Sequence, residues 1–156
     1  MPRYTQAFWS KRKLIINCIN DIPWSKEPEK AFNEYLKLSM NLLENSGIDY
    51  QDFDFNPKEI TFKYLHGFIT DNERKESSQF WIDFIKNDEE NTGLRNRDDK
   101  KVIKARLALG LLAIDSNLKD YGESLDWFLI FLEKYGVNGD EAWGQVENFF
   151  SAKNIN

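Results

Sequence analysis

Apolar residues that return every three or four positions along most of the chain predict an all-α fold, and helix-stop glycines end several of these runs. Only one segment alternates in the manner of a strand, and nothing of similar quality is present to pair with it. At 156 residues the chain has the length of one ordinary domain and can bury most of the surface its unfolded form exposes. A 41% hydrophobic content, with 15% aromatic residues, is too rich in large side chains for a disordered segment. The expectation is a single domain over residues 1–156, a bundle of about six or seven amphipathic helices.

The elements follow in order. Over residues 5–19, Phe8, Ile15 and Ile19 lie near one stripe that Leu14 and Ile16 widen, as an amphipathic helix requires. Asp21-Ile22-Pro23 breaks it. A second helix is expected over residues 25–45, with Pro28 in its first turn, Ala31, Tyr35, Leu38 and Leu42 on its apolar face, and Gly47 as its stop. Asn56-Pro57-Lys58-Glu59 reads as an N-cap, a proline at the first helical position and a glutamate placed to reach back to the cap. That favours a helix to about residue 69, although ITFKYLHGFIT (60–70) also alternates and has the composition of a strand.

Asp71 is expected to cap a helix through residue 87 that buries Phe80, Trp81, Phe84 and Ile85. Asp98 is expected to cap the most apolar helix, ending near residue 118, in which Val102, Ala105, Leu109 and Leu112 form one row and Ile103, Leu107, Leu111 and Ile114 another. Apolar on most of its circumference, it should be central. Its Lys100, Lys104 and Lys101 are expected on the outer face. Ser124 should begin a helix closed by Gly136, and Asp140 the last one, with Trp143, Val146, Phe149 and Phe150 facing in.

The inventory of reactive groups is thin. Cys18 and His66 are the only cysteine and histidine, too few for a zinc site of about four ligands, and both read as structural. Asp49, Asp52 and Asp54 have the wrong spacing for a calcium loop and lack its glycine. There is no phosphate-binding glycine loop, dinucleotide turn or nucleophile elbow. Paired carboxylates such as Glu89-Glu90 and Asp140-Glu141 arise by chance in an acidic chain, and acids at helix starts stabilise the helix dipole without further role. No metal, cofactor or catalytic residue is expected, and the chain reads as a non-enzyme. No apolar run approaches the ~20 residues of a membrane span, and the first residues lack a secretory apolar stretch, so a cytoplasmic location is expected.

Charge is more informative. The net charge is −5, but it is unevenly distributed. Residues 49–90 carry eleven acids against five bases and residues 115–147 eight against two, while residues 95–106 carry six bases against two acids. The basic RNRDDKKVIKAR run could approach phosphates, yet the flanking acids would repel the same polyanion, so nucleic acid is not the expected partner. An acidic surface suits a basic protein.

Within the acidic half, IDYQDFDF (48–55) places three carboxylates among three rings. A plain connector would favour small polar residues. Phe53 and Phe55 are expected to turn inward and fasten the loop, or Tyr50 and one phenylalanine to stay available beside Asp49, Asp52 and Asp54 as rigid anchors in an acidic field. NDEEN (87–91) adds Asp88, Glu89 and Glu90. The set Asp49, Tyr50, Asp52, Asp54, Asp88, Glu89 and Glu90 is the candidate partner-binding surface.

In its length, its acidity, its lack of catalytic groups and these two patches, the chain resembles the small acidic immunity proteins that bacteria carry against their own delivered toxins, including those of contact-dependent inhibition systems. The resemblance is one of kind and implies tight, specific binding to a basic toxin domain, for instance a nuclease whose positive cleft would be blocked or held from the side. A different class, a helical adaptor or regulatory subunit using an apolar groove with Trp24 or Trp143 exposed, is the alternative.

Overall fold

Proline at the first helical position and glycine just past the last one frame the first two helices. In the computed structural model, which describes residue 19 and residues 21–92, 99–118 and 121–155, they are α1 (Pro28–Asn45) and α2 (Pro57–Leu65). The helix expected over residues 5–19 lies outside the described residues except for Ile19, which is buried. Then come α3 (Asp71–Glu76), α4 (Gln79–Thr92), α5 (Lys100–Leu112), α6 (Gly122–Tyr135) and α7 (Gly139–Ile155), with no strand among the described residues. The strand-like 60–69 segment is helical to Leu65, so its alternation is overridden by the cap at Asn56, whose side chain accepts from the Lys58 N–H at 3.0 Å.

Three helix ends use one device. Beyond α1, the Ile48 N–H donates to Leu43 O and the Gly47 N–H to Glu44 O; beyond α2, Phe68 N–H donates to Lys63 O and Gly67 N–H to Tyr64 O; beyond α6, Val137 N–H donates to Leu132 O and Gly136 N–H to Glu133 O. Each satisfies carbonyls the helix leaves free, and each needs a left-handed residue. Glycine supplies it at φ 67°, 76° and 120°.

Other boundaries moved, for local reasons. Glu59 pairs with Lys63 at 3.3 Å. The reciprocal capping box stands at Thr70 and Glu73 instead, at the start of α3. The single helix expected over residues 71–87 is two, because the Ser77 and Ser78 hydroxyls donate to the carbonyls of Arg74 and Lys75 and compete with helical pairing. Asp99 caps α5 through the N–H groups of Lys101 and Val102; Asp98 lies outside the described residues. Asn138, and not Asp140, caps α7 by accepting from the N–H groups of Asp140 and Glu141.

α5 is central and touches α1, α2, α4 and α6, while α7 closes against α1 and α6. Its Val102, Ile103, Ala105, Leu107, Leu111 and Leu112 are buried, each large aliphatic side chain contributing about 1.5–3 kcal/mol on leaving water. Gly110 lets α6 come close, since a Cβ there would stand 2.8 Å from a Phe128 ring carbon. Aromatic rings fill the space between α1, α6 and α7: Tyr35 stacks on Tyr121 at 5.2 Å, and Trp24 meets Phe150 edge-on at 5.2 Å.

One cation is wholly inside. Arg74 of α3 has no exposed surface, donates through Nε and Nη2 to Asp71 Oδ1 at 3.0 and 2.8 Å, and reaches Leu111 O at 2.9 Å and Ile114 O at 2.7 Å. Its guanidinium also lies over the rings of Phe32 and Tyr64 at 4.7 and 5.4 Å. It thereby takes up carbonyls at the C-terminal end of α5, where helix polarity favours a cation, and α5 stops at Leu112 where the sequence suggested about residue 118.

Candidate functional site

The end of α1 launches the acidic loop, and Ile48, Tyr50 and Phe53 carry it inward. Ile48 is fully buried. The Asp49 carboxylate accepts from the Gln51 N–H at 3.2 Å and the Tyr50 carbonyl from the Phe53 N–H at 3.1 Å, a tight turn that sends rings 50 and 53 to the same side. Phe53 packs on Trp81 at 4.8 Å and Phe84 at 5.2 Å. Tyr50 meets Trp81 at 5.4 Å and donates its hydroxyl to Lys104 O at 2.8 Å.

Tyr50, expected as an exposed anchor, is therefore core: only 3% of its surface is accessible, and burial pushes its phenol well above the ordinary tyrosine range. Phe55 takes the outward place. It is 56% exposed and rests on Phe80 of α4 at 4.7 Å.

The acids divide in the same way. Lys104, expected on the outer face of α5, is 6% exposed. Its ammonium lies 2.7 Å from Asp52 and 4.0 Å from Asp49, and over the rings of Tyr50 and Phe53 at 5.4 and 5.9 Å. Burial alone would raise the Asp52 carboxyl; the hydrogen bond and charge of Lys104 outweigh it and hold the group below the usual carboxylate range. Asp52 is thus a latch, and Asp49 is partly neutralised with it. On α4, Glu89 faces Arg106 at 3.6 Å, Asp88 is half-buried, and Asp83 and Glu90 are exposed, as is Asp54 in the loop. Ring contacts to Phe80, Trp81 and Phe84 lay the loop along α4 as one ridge, with Phe55 exposed on it and Asp54 its neighbour in the chain.

Sequence reasoning missed the burial of Lys104 and left open which phenylalanine of the loop stays out, which is Phe55. A signal existed for the lysine, which stands in register with Leu107, Ala108 and Leu111, the helical i, i+3, i+4, i+7 positions of a buried stripe. No local signal separates Phe53 from Phe55, since which ring turns in is decided by Trp81 and Phe84, about thirty positions away in sequence.

Two other exposed aromatic features accompany the ridge. Phe62, His66 and Phe68 form a stack, with Phe62–His66 at 4.0 Å and His66–Phe68 at 6.4 Å, and Phe68 is 73% exposed. Between α5 and α6 opens a cleft of about 260 Å3 walled by Leu109, Gly110, Ile114, Phe128 and Phe131, with Tyr35 at its inner side and Trp127 at its mouth. Trp127 is 54% exposed. Trp24 and Trp143, the indoles expected to face a groove, are partly buried: Trp24 lies against Tyr35, Tyr121 and Phe150, and Trp143 donates its ring N–H to Glu147 at 2.6 Å.

Among the described residues, no three His, Cys, Asp or Glu side chains converge as they would around a metal ion, and no helix is long and apolar enough to cross a membrane. No known protein family matches the chain, and neither a curated protein nor a solved structure matches it.

Proposed function

We propose that the protein is a non-enzymatic inhibitor of the immunity type, which binds and neutralises a basic toxin domain through the ridge formed by the 48–55 loop and α4. The observation that carries this reading is Phe55: a large ring, half in water yet held on Phe80, with Asp54 beside it and Asp83 on the turn of α4 that carries Phe80. A ring already fixed in place loses little freedom on binding, and the carboxylates around it steer a positive partner. The Lys104 latch supports the same reading, because it holds the loop in one shape before any partner arrives, which lowers the cost of association.

The test is whether a neighbouring reading frame encodes a large secreted protein with a basic C-terminal domain, and whether that domain binds this chain. Phe55→Ala should weaken the complex by about tenfold or more. Asp54→Asn with Asp83→Asn and Glu90→Gln should slow association, more at low salt than at high. Absence of a complex, or a complex indifferent to both changes, would refute the proposal.

A further inference from the structure

The cleft between α5 and α6 is walled by one stripe from each helix. On α5, Arg106, Leu109, Gly110 and Ala113 follow the i, i+3, i+4, i+7 spacing of a single face. On α6, Ser124, Trp127, Phe128 and Phe131 do the same. The stripe of α5 that carries Ile103, Leu107 and Leu111 is fully buried, whereas Arg106, Leu109 and Gly110 are half-buried, so the two helices meet along this second face without closing it. Glycine at 110 takes up none of the space between them, and a Cβ there would already stand 2.8 Å from a Phe128 ring carbon.

A single charge borders this largely apolar space. Arg106 lies at its Phe131 end, with the guanidinium 5.8 Å from the centre of that ring. Glu89 approaches it at 3.6 Å, longer than a hydrogen bond, and the Glu89 side chain is 48% exposed, so the pair is weak. Arg74 differs, since its N–H groups are given to Asp71, Leu111 O and Ile114 O. The planar fork of Arg106 therefore remains open to a better-placed carboxylate, which can accept two parallel N–H bonds from it. Size narrows the occupant further. About 260 Å3 falls below the roughly 300–1,000 Å3 of drug-sized sites, while a cavity of about 150 Å3 already accepts benzene. One ring with a short acid-bearing arm suits such a volume. The aspartate or glutamate side chain of another protein does not, because its apolar stem is too short to fill a space lined by Leu109, Trp127 and Phe128.

We propose that this cleft binds a free small aromatic carboxylic acid, its ring against Phe128 and Trp127 and its carboxylate on the Arg106 guanidinium in place of Glu89. The site shares no wall with the loop that carries Phe55, and the proposal does not depend on the inhibitor reading.

Amide NMR of the full chain tests it, with phenylacetate, its neutral and nearly isosteric amide phenylacetamide, and the peptide N-acetyl-glycyl-phenylalanine with a free C-terminus as probes. Phenylacetate should give saturable shifts at Gly110, Ser124 and the Trp127 indole, and bind about tenfold tighter than phenylacetamide, the ratio expected of charge-assisted hydrogen bonds to one arginine. Arg106→Gln should abolish that ratio while leaving the weaker binding of the amide. Glu89→Gln, on the surface, removes the competing carboxylate and should raise the affinity for phenylacetate but not for phenylacetamide; it keeps the proposal testable if Arg106→Gln does not fold. No saturable shift, equal affinity for acid and amide, an unchanged ratio in Arg106→Gln, or no gain in Glu89→Gln overturns the proposal. So does the peptide outbinding phenylacetate, which would assign the cleft to the C-terminus of a protein. No step of the test uses Phe55, Asp54 or a protein partner, so a negative result here is separable from failure of the ridge.

Discussion

Replacing Asp52 by asparagine should cost more stability than replacing Lys104 by methionine, although the two changes break the same ion pair. The Lys104 side chain is 7% exposed, whereas that of Asp52 is 37% exposed. Removing the carboxylate leaves an ammonium with little access to water, and breaking a buried pair in this way costs about 3–5 kcal/mol. Asp49 at 4.0 Å and the faces of Tyr50 and Phe53 offset part of that, so Asp52→Asn should lose about 2–3 kcal/mol. Lys104→Met leaves a carboxylate that can rehydrate and places an apolar chain in the Leu107–Leu111 stripe, so it should lose about 1 kcal/mol or less.

The asymmetry has a pH counterpart. Asp52 is held below the ordinary carboxylate range, so its contribution is present above that range and lost as pH falls through it. Lys104→Met should remove this part of the acid dependence. Urea unfolding followed by tryptophan fluorescence, at neutral pH and at steps into the acid range, measures both. A loss below about 1 kcal/mol for Asp52→Asn, or a greater loss for Lys104→Met, would show that Lys104 does not behave as a buried ion.

Two further outcomes follow from buried polar groups. Arg74→Lys should destabilise by about 2 kcal/mol or more in the same unfolding assay, because an ammonium cannot reach Asp71, Leu111 O and Ile114 O together as the planar guanidinium does; a loss under about 0.5 kcal/mol would refute that role. At alkaline pH, burial pushes Tyr121 up to about 12 and raises Tyr35, Tyr50 and Tyr64 as well. A phenol raised on folding stabilises the fold below its unfolded value of about 10 and loses that contribution as pH climbs through the folded value. Phenolate absorbance should therefore rise late and together with loss of near-ultraviolet circular dichroism. Complete tyrosine titration near pH 10 with the fold intact would contradict the burial of these rings.

What the sequence determined by itself is what a few neighbouring residues can settle. Pro57 behind Asn56, and glycine at 47 and 136, specify helix starts and stops through bonds that span no more than six positions, and these were legible. The all-α character follows from the same short-range periodicity, as does the central place of α5, apolar around most of its surface. The candidate site was legible only in composition: that acids and rings gather in the 48–55 loop is plain, but which ring is buried is not. Tyr50 is fixed by a carbonyl 54 positions away, Asp52 by an ammonium 52 positions away, and Arg74 by carbonyls 37 and 40 positions away. Tertiary structure decided that Phe55 faces out, that part of the expected acidic set is paired with Lys104 and Arg106, and that Trp127 stands at the cleft between α5 and α6 while Trp24 lies among rings and Trp143 lines a second cleft with Ile22 and Phe150. The physical reason is one of range. Backbone caps and helical stripes are satisfied within a turn or two of the chain, whereas a buried charge or ring takes its direction from partners brought near only when the helices pack.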